Sequence, residues 1–284
     1  MAGSPVSLDR YESRGFRYRR NTSLAVYALI ITVPILVVVF GALKTQSDIF
    51  ANPLGPPLPP RTQNFSDVWR ANLPRAFRNS AIVTGCSVAI TIALASLTGF
   101  AVARLRGWRS NVLLGFFTLG LAVPAQVSIV QQYALFKDLH LTDSLFGLIL
   151  VETAVTLPVA VFILAGFMKT LPGELFEAAI VDGASSWRLY RSIVMPLSLP
   201  SVAAVTTFLF VIHWNDLQYP LLFLPTRDDL WTLPRQLVGL KGEYLTNYPV
   251  LFAGVLLAST PVVVAYVLLQ RWFVAGMTSG AVKG

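Results

Sequence analysis

The sequence predicts an all-α membrane protein with six transmembrane helices, and three observations lead to this. Hydrophobic residues make up 55% of the 284 residues and charged residues only 13%, against about 25% charged in an average soluble chain. The apolar residues fall into six stretches, each long enough to match the roughly 20 residues that cross about 30 Å of hydrocarbon. None of the six alternates apolar and polar residues as barrel strands do. The class is therefore a polytopic helical bundle.

The elements follow in order along the chain. Residues 1–21 form a basic N-terminal tail, and residues 22–284 form one transmembrane domain. The predicted spans lie at about 22–43, 80–103, 111–135, 145–168, 199–224 and 249–272. After the first span, the sequence NPLGPPLPP predicts an extended arm, because proline runs cannot form a regular helix. A short amphipathic helix, interrupted by Pro74, is predicted to lead into the second span.

Lysine and arginine are distributed unevenly between the two sides of the predicted bundle. With the N-terminus in the cytoplasm, 13 of the 22 basic residues lie on the cytoplasmic side, most densely before span one and in the short connection after span two. This is the bias expected of cytoplasmic loops. With six spans, both termini are then cytoplasmic, as is the loop after span four. The net charge of +8 therefore indicates topology, and no nucleic-acid partner is predicted.

The loop after span four, residues 171–198, is called the elbow below. It is a charged, amphipathic segment between long apolar runs, and its pattern predicts two short helices that meet at an angle. Gly183 can adopt the left-handed conformation that ends the first helix. Ser185 or Ser186 can cap the second helix, and Pro196 is expected to limit its far end. Such an elbow on a membrane protein predicts a docking element.

The motifs of several enzyme classes are absent from the sequence. There is no GxxxxGK[ST] phosphate loop, HExxH, CxxC or GxSxG motif, and the chain has only two histidines. The sequence therefore predicts a chain that is not an enzyme, binds no metal and holds no cofactor of its own. If ATP powers its function, another polypeptide must bind the nucleotide.

Glu152 is an acidic residue inside the fourth predicted span. It lies about seven residues into the span, near 10 Å deep at 1.5 Å per residue. A charge at that depth costs a few kcal/mol unless it faces a wet cavity or a partner. One hypothesis is that Glu152 lines a polar pathway and hydrogen-bonds a hydroxylated solute. The alternative is a protonated or snorkelling side chain at the outer edge of the bundle.

A second polar cluster, Asn215, Asp216 and Gln218, precedes Pro220 in the fifth predicted span. Amide and carboxylate groups suit sugar hydroxyls as donors and acceptors. These three residues are therefore candidates for a solute pathway, with a structural hydrogen-bond cluster between spans as the alternative.

The elbow also matches a family signature. Its spacing is Glu-Ala-Ala, three residues, Gly, nine residues, Ile, one residue and then Met-Pro. The residues are Glu177, Ala178, Ala179, Gly183, Ile193, Met195 and Pro196. This pattern resembles the EAA loop of ABC importer permeases, which usually has Leu where this chain has Met195. Outside the elbow, Asn79-Ser80, Pro124-Ala125-Gln126, the segments WND and YPLLFL, and the tail GMTSGAVKG are similar to the MalG-type permeases of carbohydrate ABC importers.

The resemblance covers roughly residues 20–284 and implies a complex of several chains in the bacterial cell membrane. It implies that this chain and a second, MalF-like permease form the pathway for a sugar, supplied by an external solute-binding protein. Two cytoplasmic ATPase subunits would bind ATP and Mg and receive the elbow, which is identified as a coupling helix. The coupling residues that it implies are Glu177, Ala178, Ala179, Asp182, Gly183, Trp187, Ile193 and Pro196. Two alternatives stay open: an importer of another solute class, and a secondary transporter or channel.

Overall fold

The computed structural model describes residues 14–105, 107–241 and 246–281, with side chains between residues 18 and 268 of these ranges. Most of the predicted basic tail and the last three residues lie outside the described residues. The helices are α1 (Arg14–Gly41), α2 (Gln46–Ala51), α3 (Gln63–Arg70), α4 (Leu73–Arg104), α5 (Trp108–Ala122), α6 (Ala125–Asp138), α7 (Leu145–Met168), α8 (Gly173–Val181), α9 (Ser186–Leu189), α10 (Met195–Trp214), α11 (Gln218–Phe223), α12 (Leu233–Gly239) and α13 (Tyr248–Ala281). A π-helical turn, Tyr190–Val194, joins α9 to α10, and a 3₁₀ turn, Asp228–Leu230, precedes α12.

The described helices confirm the prediction of an all-α membrane protein. Five helical segments are long and apolar enough to span a membrane, and there are six if the bent pair α5–α6 is one span. The five are Tyr18–Gly41, Leu73–Arg104, Leu145–Met168, Ser186–Trp214 and Tyr248–Leu268. Pro124 breaks the third predicted span, 111–135, and its bounds are corrected to the bent pair α5 and α6, which meet at 96°. Pro124 disfavours helical geometry at the residue before it, and Val123 is extended at φ −93° and ψ 111°.

The fifth span is also corrected. Its helix begins with the elbow at Ser186 and ends at Trp214, while the predicted residues 218–223 form a separate short helix. Asn215 ends α10, and its amide Nδ2 donates to the Val211 carbonyl at 2.8 Å. An Asn side chain that competes for a helix carbonyl in this way favours a helix end.

The prediction that Pro196 limits the second elbow helix is wrong. Pro196 lies in the first turn of α10, and the helical run continues through it. Just before it, the Met195 N–H donates to the Tyr190 carbonyl, five residues back. This wider turn separates the proline ring from the preceding carbonyls, and proline is tolerated at the start of a helical segment. The prediction that Pro74 interrupts the helix leading into span two is confirmed, because α3 ends at Arg70 and α4 begins at Leu73 with Pro74 in its first turn.

The described residues fall into two compact units along the chain. The first contains α1–α3 and residues 241–256. In it, the Nζ of buried Lys44 donates to the carbonyl of Asn52, and the amide of Asn64 donates to the carbonyls of Ala42 at 2.8 Å and Lys44 at 2.9 Å. The predicted arm is irregular, as expected, and these hydrogen bonds fix its ends.

The second unit is built on the packing of α4 along α7, with α10 against both. Small residues allow the close approach. A Cβ added at Gly99 of α4 would lie 3.1 Å from the backbone nitrogen of Ala165 in α7. Close packing of helices through small residues is typical of membrane bundles, where lipid offers no hydrophobic driving force. Buried Ala95, Ala160 and Ala165 continue this interface.

The Gly99 contact gives a first prediction. Gly99→Val is expected to destabilise the protein by about 1–3 kcal/mol, because the added carbons meet backbone that cannot move aside locally. Gly85→Val is the matched control on the same helix, since a Cβ at Gly85 has nothing within 4 Å. Thermal unfolding of both purified variants in detergent measures the difference. Equal melting temperatures would contradict the close packing of α4 and α7.

Candidate functional site

The turn of the elbow is fixed by its backbone. Gly183 has φ +74°, its N–H donates to the Ile180 carbonyl at 2.9 Å, and the next N–H, of Ala184, donates to Ala179 at 2.9 Å. This pair of bonds is a Schellman motif, which needs a left-handed residue at the position of Gly183. The Ser185 side chain then accepts from the Arg188 N–H at 3.3 Å and caps α9. The predicted helix stop at Gly183 and the cap at Ser185 are both confirmed.

The inner face of the elbow packs onto the ends of the long helices. Ala179, Leu189 and Val194 are buried together with Met168, the last residue of α7. Ala179 is therefore part of the chain's own core, whereas Ala178 is exposed. Half-buried Ile193 packs against the same cluster. The small side chain of Ala179 thus permits close approach within this chain.

The outer face of the elbow, defined as Ile180, Val181 and Trp187, is apolar and open. The exposed fractions of these side chains are 49%, 87% and 60%. Asp182 and Gly183 are exposed between them. A contiguous apolar surface with a charged rim is a common sign of a protein interface.

A groove runs along α8 beside the outer face of the elbow. Exposed Glu177 lines it together with Arg104, at the end of α4, and Lys169, just after α7. Pro196 is exposed at the start of α10, beyond the π-helical turn. The predicted coupling residues therefore divide into those on the surface and the two, Ala179 and Ile193, that join the core.

Tyr190 connects the elbow to the bundle through a contact that the sequence did not predict. Its hydroxyl and that of Ser96 in α4 lie 2.8 Å apart, and its ring packs 5.5 Å from that of Phe100. Tyr190 opens the π-helical turn, so α4 holds the segment that joins α9 to α10. The one local signal for Tyr190 is its helical spacing from Trp187 and Ile193.

A buried pair of ionisable side chains lies at the far end of α10. Oε2 of Glu152 in α7 is 3.0 Å from Nδ1 of His213, and both side chains are 2% exposed. The alternative of a Glu152 at the outer edge of the bundle is therefore wrong. The sequence did not predict His213 as its partner, because a contact 61 positions apart has no local signal.

Thr156 extends this pair by one further hydrogen-bonding group. Its hydroxyl donates to the Glu152 carbonyl at 2.8 Å, and its oxygen lies 3.3 Å from Nε2 of His213. The hydroxyl of Thr91 in α4 is 3.5 Å from Thr156. The pair is thus surrounded by uncharged hydroxyl groups on two helices.

The predicted polar cluster forms the turn between α10 and α11. Asp216 is half-buried, and its Oδ1 accepts from the Gln218 N–H at 3.1 Å. Asp216 is also within electrostatic range of both Glu152 and His213. Asn215 and Gln218 have exposed side chains. The structure therefore brings Asp216 towards the Glu152–His213 pair, while Asn215 and Gln218 lie on the surface of the turn.

Asn79 and Ser80, near the start of α4, hold the loop that follows α11. The Asn79 amide donates to the carbonyls of Asp229 at 3.0 Å and Trp231 at 3.1 Å, and Ser80 Oγ accepts from the Leu233 N–H at 2.8 Å. In the same loop, Arg227 makes a bidentate contact with Asp229, and this lowers the pKa of the Asp229 carboxyl. The Asn79-Ser80 motif therefore has a structural role.

The bundle combines membrane-length helices, a polar pair in its interior and an open elbow at the end of two spans. Together these features are typical of a transport permease. The sequence comparisons make this specific. The profile of the family described as binding-protein-dependent transport system inner membrane component matches residues 91–279. The chain belongs to this family, and it is a non-catalytic membrane subunit of an ABC importer.

Relatives match over nearly the full length. A putative ABC transporter permease, ORF2 of Caldicellulosiruptor sp., is 35% identical over 92% of this chain and 95% of its own. The melibiose/raffinose/stachyose import permease MelC of Bacillus subtilis is 32% identical over 92% of this chain and 94% of its own. In fold, the chain is similar to one chain of a bacterial ABC transporter involved in the import of alginate, with a TM-score of 0.81 at 17% identity, covering 93% of this chain and 99% of that chain.

Proposed function

We propose that this chain forms half of the sugar pathway of an ABC importer and couples to a cytoplasmic ATPase through the outer face of the elbow. The observation that carries the proposal is the exposure of Val181 and Trp187 on an element whose inner face is fixed to the bundle. An apolar surface held rigidly in this way suits a permanent partner, because little ordering entropy is lost on docking.

The elbow also connects directly to a membrane-spanning helix. A single helical run of 29 residues extends from Ser186 to Trp214. At 1.5 Å per residue it is roughly 43 Å long, so a displacement of the elbow is carried into the bundle. A transport cycle of this kind requires an element with two conformations, and nucleotide binding by the partner must shift the equilibrium between them.

A sugar is the proposed solute because of the relatives and the chemistry of the turn after α10. The relative MelC is a permease for melibiose, raffinose and stachyose. The exposed amides of Asn215 and Gln218 and the carboxylate of Asp216 supply donors and acceptors for hydroxyl groups. We therefore assign these three residues to the solute pathway.

The proposal includes the partners and the topology that the sequence indicates. These are a second, MalF-like permease, two ATPase subunits that bind ATP and Mg, and an external solute-binding protein. The distribution of lysine and arginine supports cytoplasmic termini and a cytoplasmic elbow in the bacterial cell membrane.

Charge reversal at Glu177 tests the docking assignment. Glu177→Lys is expected to leave the chain in the membrane but to lower uptake at least about tenfold, because a like charge beside Arg104 and Lys169 makes the groove uniformly basic and opposes docking. Glu174→Lys is the matched control, since Glu174 is also exposed on α8 but does not line the groove. Sugar uptake and ATP hydrolysis by the reconstituted importer measure both. Normal uptake by Glu177→Lys would overturn this docking face.

A further inference from the structure

We propose that the Glu152–His213 pair is a positioning element of the sugar pathway, which holds the turn at residues 215–218 and does not itself contact the solute. The inference rests on the proposed function, because it assigns that turn to the pathway. It changes the hypothesis for Glu152, from a solute ligand to a residue that acts through His213.

Burial separates the pair from any solute. Both side chains are 2% exposed, and Oε2 of Glu152 already lies 3.0 Å from Nδ1 of His213. Because the whole carboxylate is buried, a sugar hydroxyl could reach it only after the surrounding helices had moved apart. Asp216, two residues beyond Trp214, is the half-buried acid that remains available.

His213 is connected directly to the turn. The backbone N–H groups of Asn215 and Asp216 both donate to the His213 carbonyl, the latter at 3.3 Å. On the other side of the turn, the hydroxyl of Tyr219 donates to Gln132 at 2.9 Å and so anchors α11 to α6. The turn is therefore held on the α11 side through Tyr219, and the contact between His213 and Glu152 is one of those that hold it on the α10 side.

The two facing atoms of the pair need a proton between them. The Thr156 hydroxyl lies 2.8 Å from the Glu152 carbonyl and 3.3 Å from Nε2 of His213, and its role towards the ring nitrogen follows the histidine tautomer. One proton must then lie between Nδ1 and the carboxyl oxygen, either on the histidine or on the acid. Without it, a carboxylate would face an imidazole lone pair. A glutamine at position 152 supplies that N–H from its amide, so it preserves the contact without a charge.

The other ionisable groups near the pair are Asp216 from the turn and Tyr219 from α11. The neighbouring side chains from α4, Ser87 and Thr91, are uncharged hydroxyls. Within the described chain, no cation other than His213 is paired with Glu152. Glu152 and Thr156 of α7 therefore both contact His213 at the end of α10, and Glu152 supplies the ionisable partner.

The position of the pair gives it a role in transport. The elbow and His213 lie near opposite ends of the same helical run, Ser186–Trp214. A displacement at the elbow moves this run, and the contact between Glu152 and His213 determines how its far end responds. A rigid contact at this end keeps the turn in one geometry while the elbow docks.

The test uses three versions of the chain in the complete importer: wild type, Glu152→Gln, and the double variant Glu152→Leu/His213→Leu. The double variant removes both partners, which leaves no unpaired charge and is often neutral for stability. For the labelling measurement, each version also carries Cys86→Ser and Asn215→Cys, so that the rate of reaction with a membrane-impermeant thiol reagent reports on the turn. For the transport measurement, each version keeps the native residues at positions 86 and 215, and uptake of radiolabelled melibiose and raffinose gives KM and the maximal rate.

We expect the double variant to fold with a melting temperature near that of wild type and to change its labelling rate several-fold. Its KM should rise about tenfold, the effect expected when the displaced turn loses one charge-assisted hydrogen bond to the solute. Glu152→Gln should match wild type in melting temperature, labelling rate and KM. A purely structural pair would leave labelling and KM of the double variant unchanged, and this result overturns the inference. A raised KM in Glu152→Gln overturns it in favour of direct contact with solute.

One further result separates the two proposals. The double variant could show altered labelling with an unchanged KM. In that case the pair holds the turn, but the turn is not part of the sugar pathway. That outcome contradicts the assignment of Asn215, Asp216 and Gln218 under the proposed function. Asp216→Asn with an unchanged KM would contradict the same assignment independently.

Discussion

Gly183→Arg is expected to abolish sugar uptake while the chain still inserts into the membrane. Gly183 has φ +74°, a conformation that costs a residue with a side chain roughly 1–2 kcal/mol. The Schellman motif then weakens, and α8 and α9 no longer meet at a fixed angle. A bulky cation would also stand between Val181 and Trp187, on the surface proposed to dock the ATPase.

The open space around Gly183 allows a matched control substitution at the same position. A Cβ at this position has nothing within 4 Å, so the expected effect comes from the backbone and the docking surface and not from a clash within the chain. Asparagine tolerates the left-handed conformation better than other residues. Gly183→Asn should therefore keep most of the uptake that Gly183→Arg loses. Uptake and ATP hydrolysis of the reconstituted importer measure both, and equal uptake by the two variants would contradict the docking role of the turn.

His213→Leu is expected to cause a large loss of stability in the bundle. It leaves the carboxyl group of Glu152 buried without its partner, and breaking a buried pair on one side costs about 3–5 kcal/mol. The thermal unfolding temperature in detergent, and the yield of protein in the membrane, are the measurements.

The other histidine gives the matched control for this prediction. His140 is exposed in the loop after α6 and has φ +56°, so His140→Asn keeps a residue suited to that backbone. We expect His140→Asn to unfold at the wild-type temperature. If His213→Leu unfolds there too, the pair contributes nothing to the stability of the bundle.

The predicted boundaries of the membrane spans were partly right. Apolar length located the five membrane-length helices and the bent pair α5–α6, because crossing the hydrocarbon requires a property that is summed over about 20 residues. Breaks within these segments depend on one or two residues. The third segment bends at Val123, before Pro124, and the helix of the fifth segment ends at Asn215, the first residue of its polar cluster.

Local chemistry was predictable at the elbow. The left-handed turn at Gly183 and the cap at Ser185 depend on neighbours within five residues, so the sequence alone indicated them. Pro196 was misassigned because local spacing does not indicate the π-helical turn before it. Tyr190, which opens this turn, contacts Ser96, a residue 94 positions earlier in the chain.

By itself, then, the sequence determined the class, the spans and the elbow, since each follows from composition or from short-range spacing. Only the tertiary structure decided the role of Glu152. A buried carboxylate needs a compensating donor, and which residue supplies it depends on how α7 packs against α10. That packing places His213 at 3.0 Å and puts the acid inside the bundle instead of at its edge.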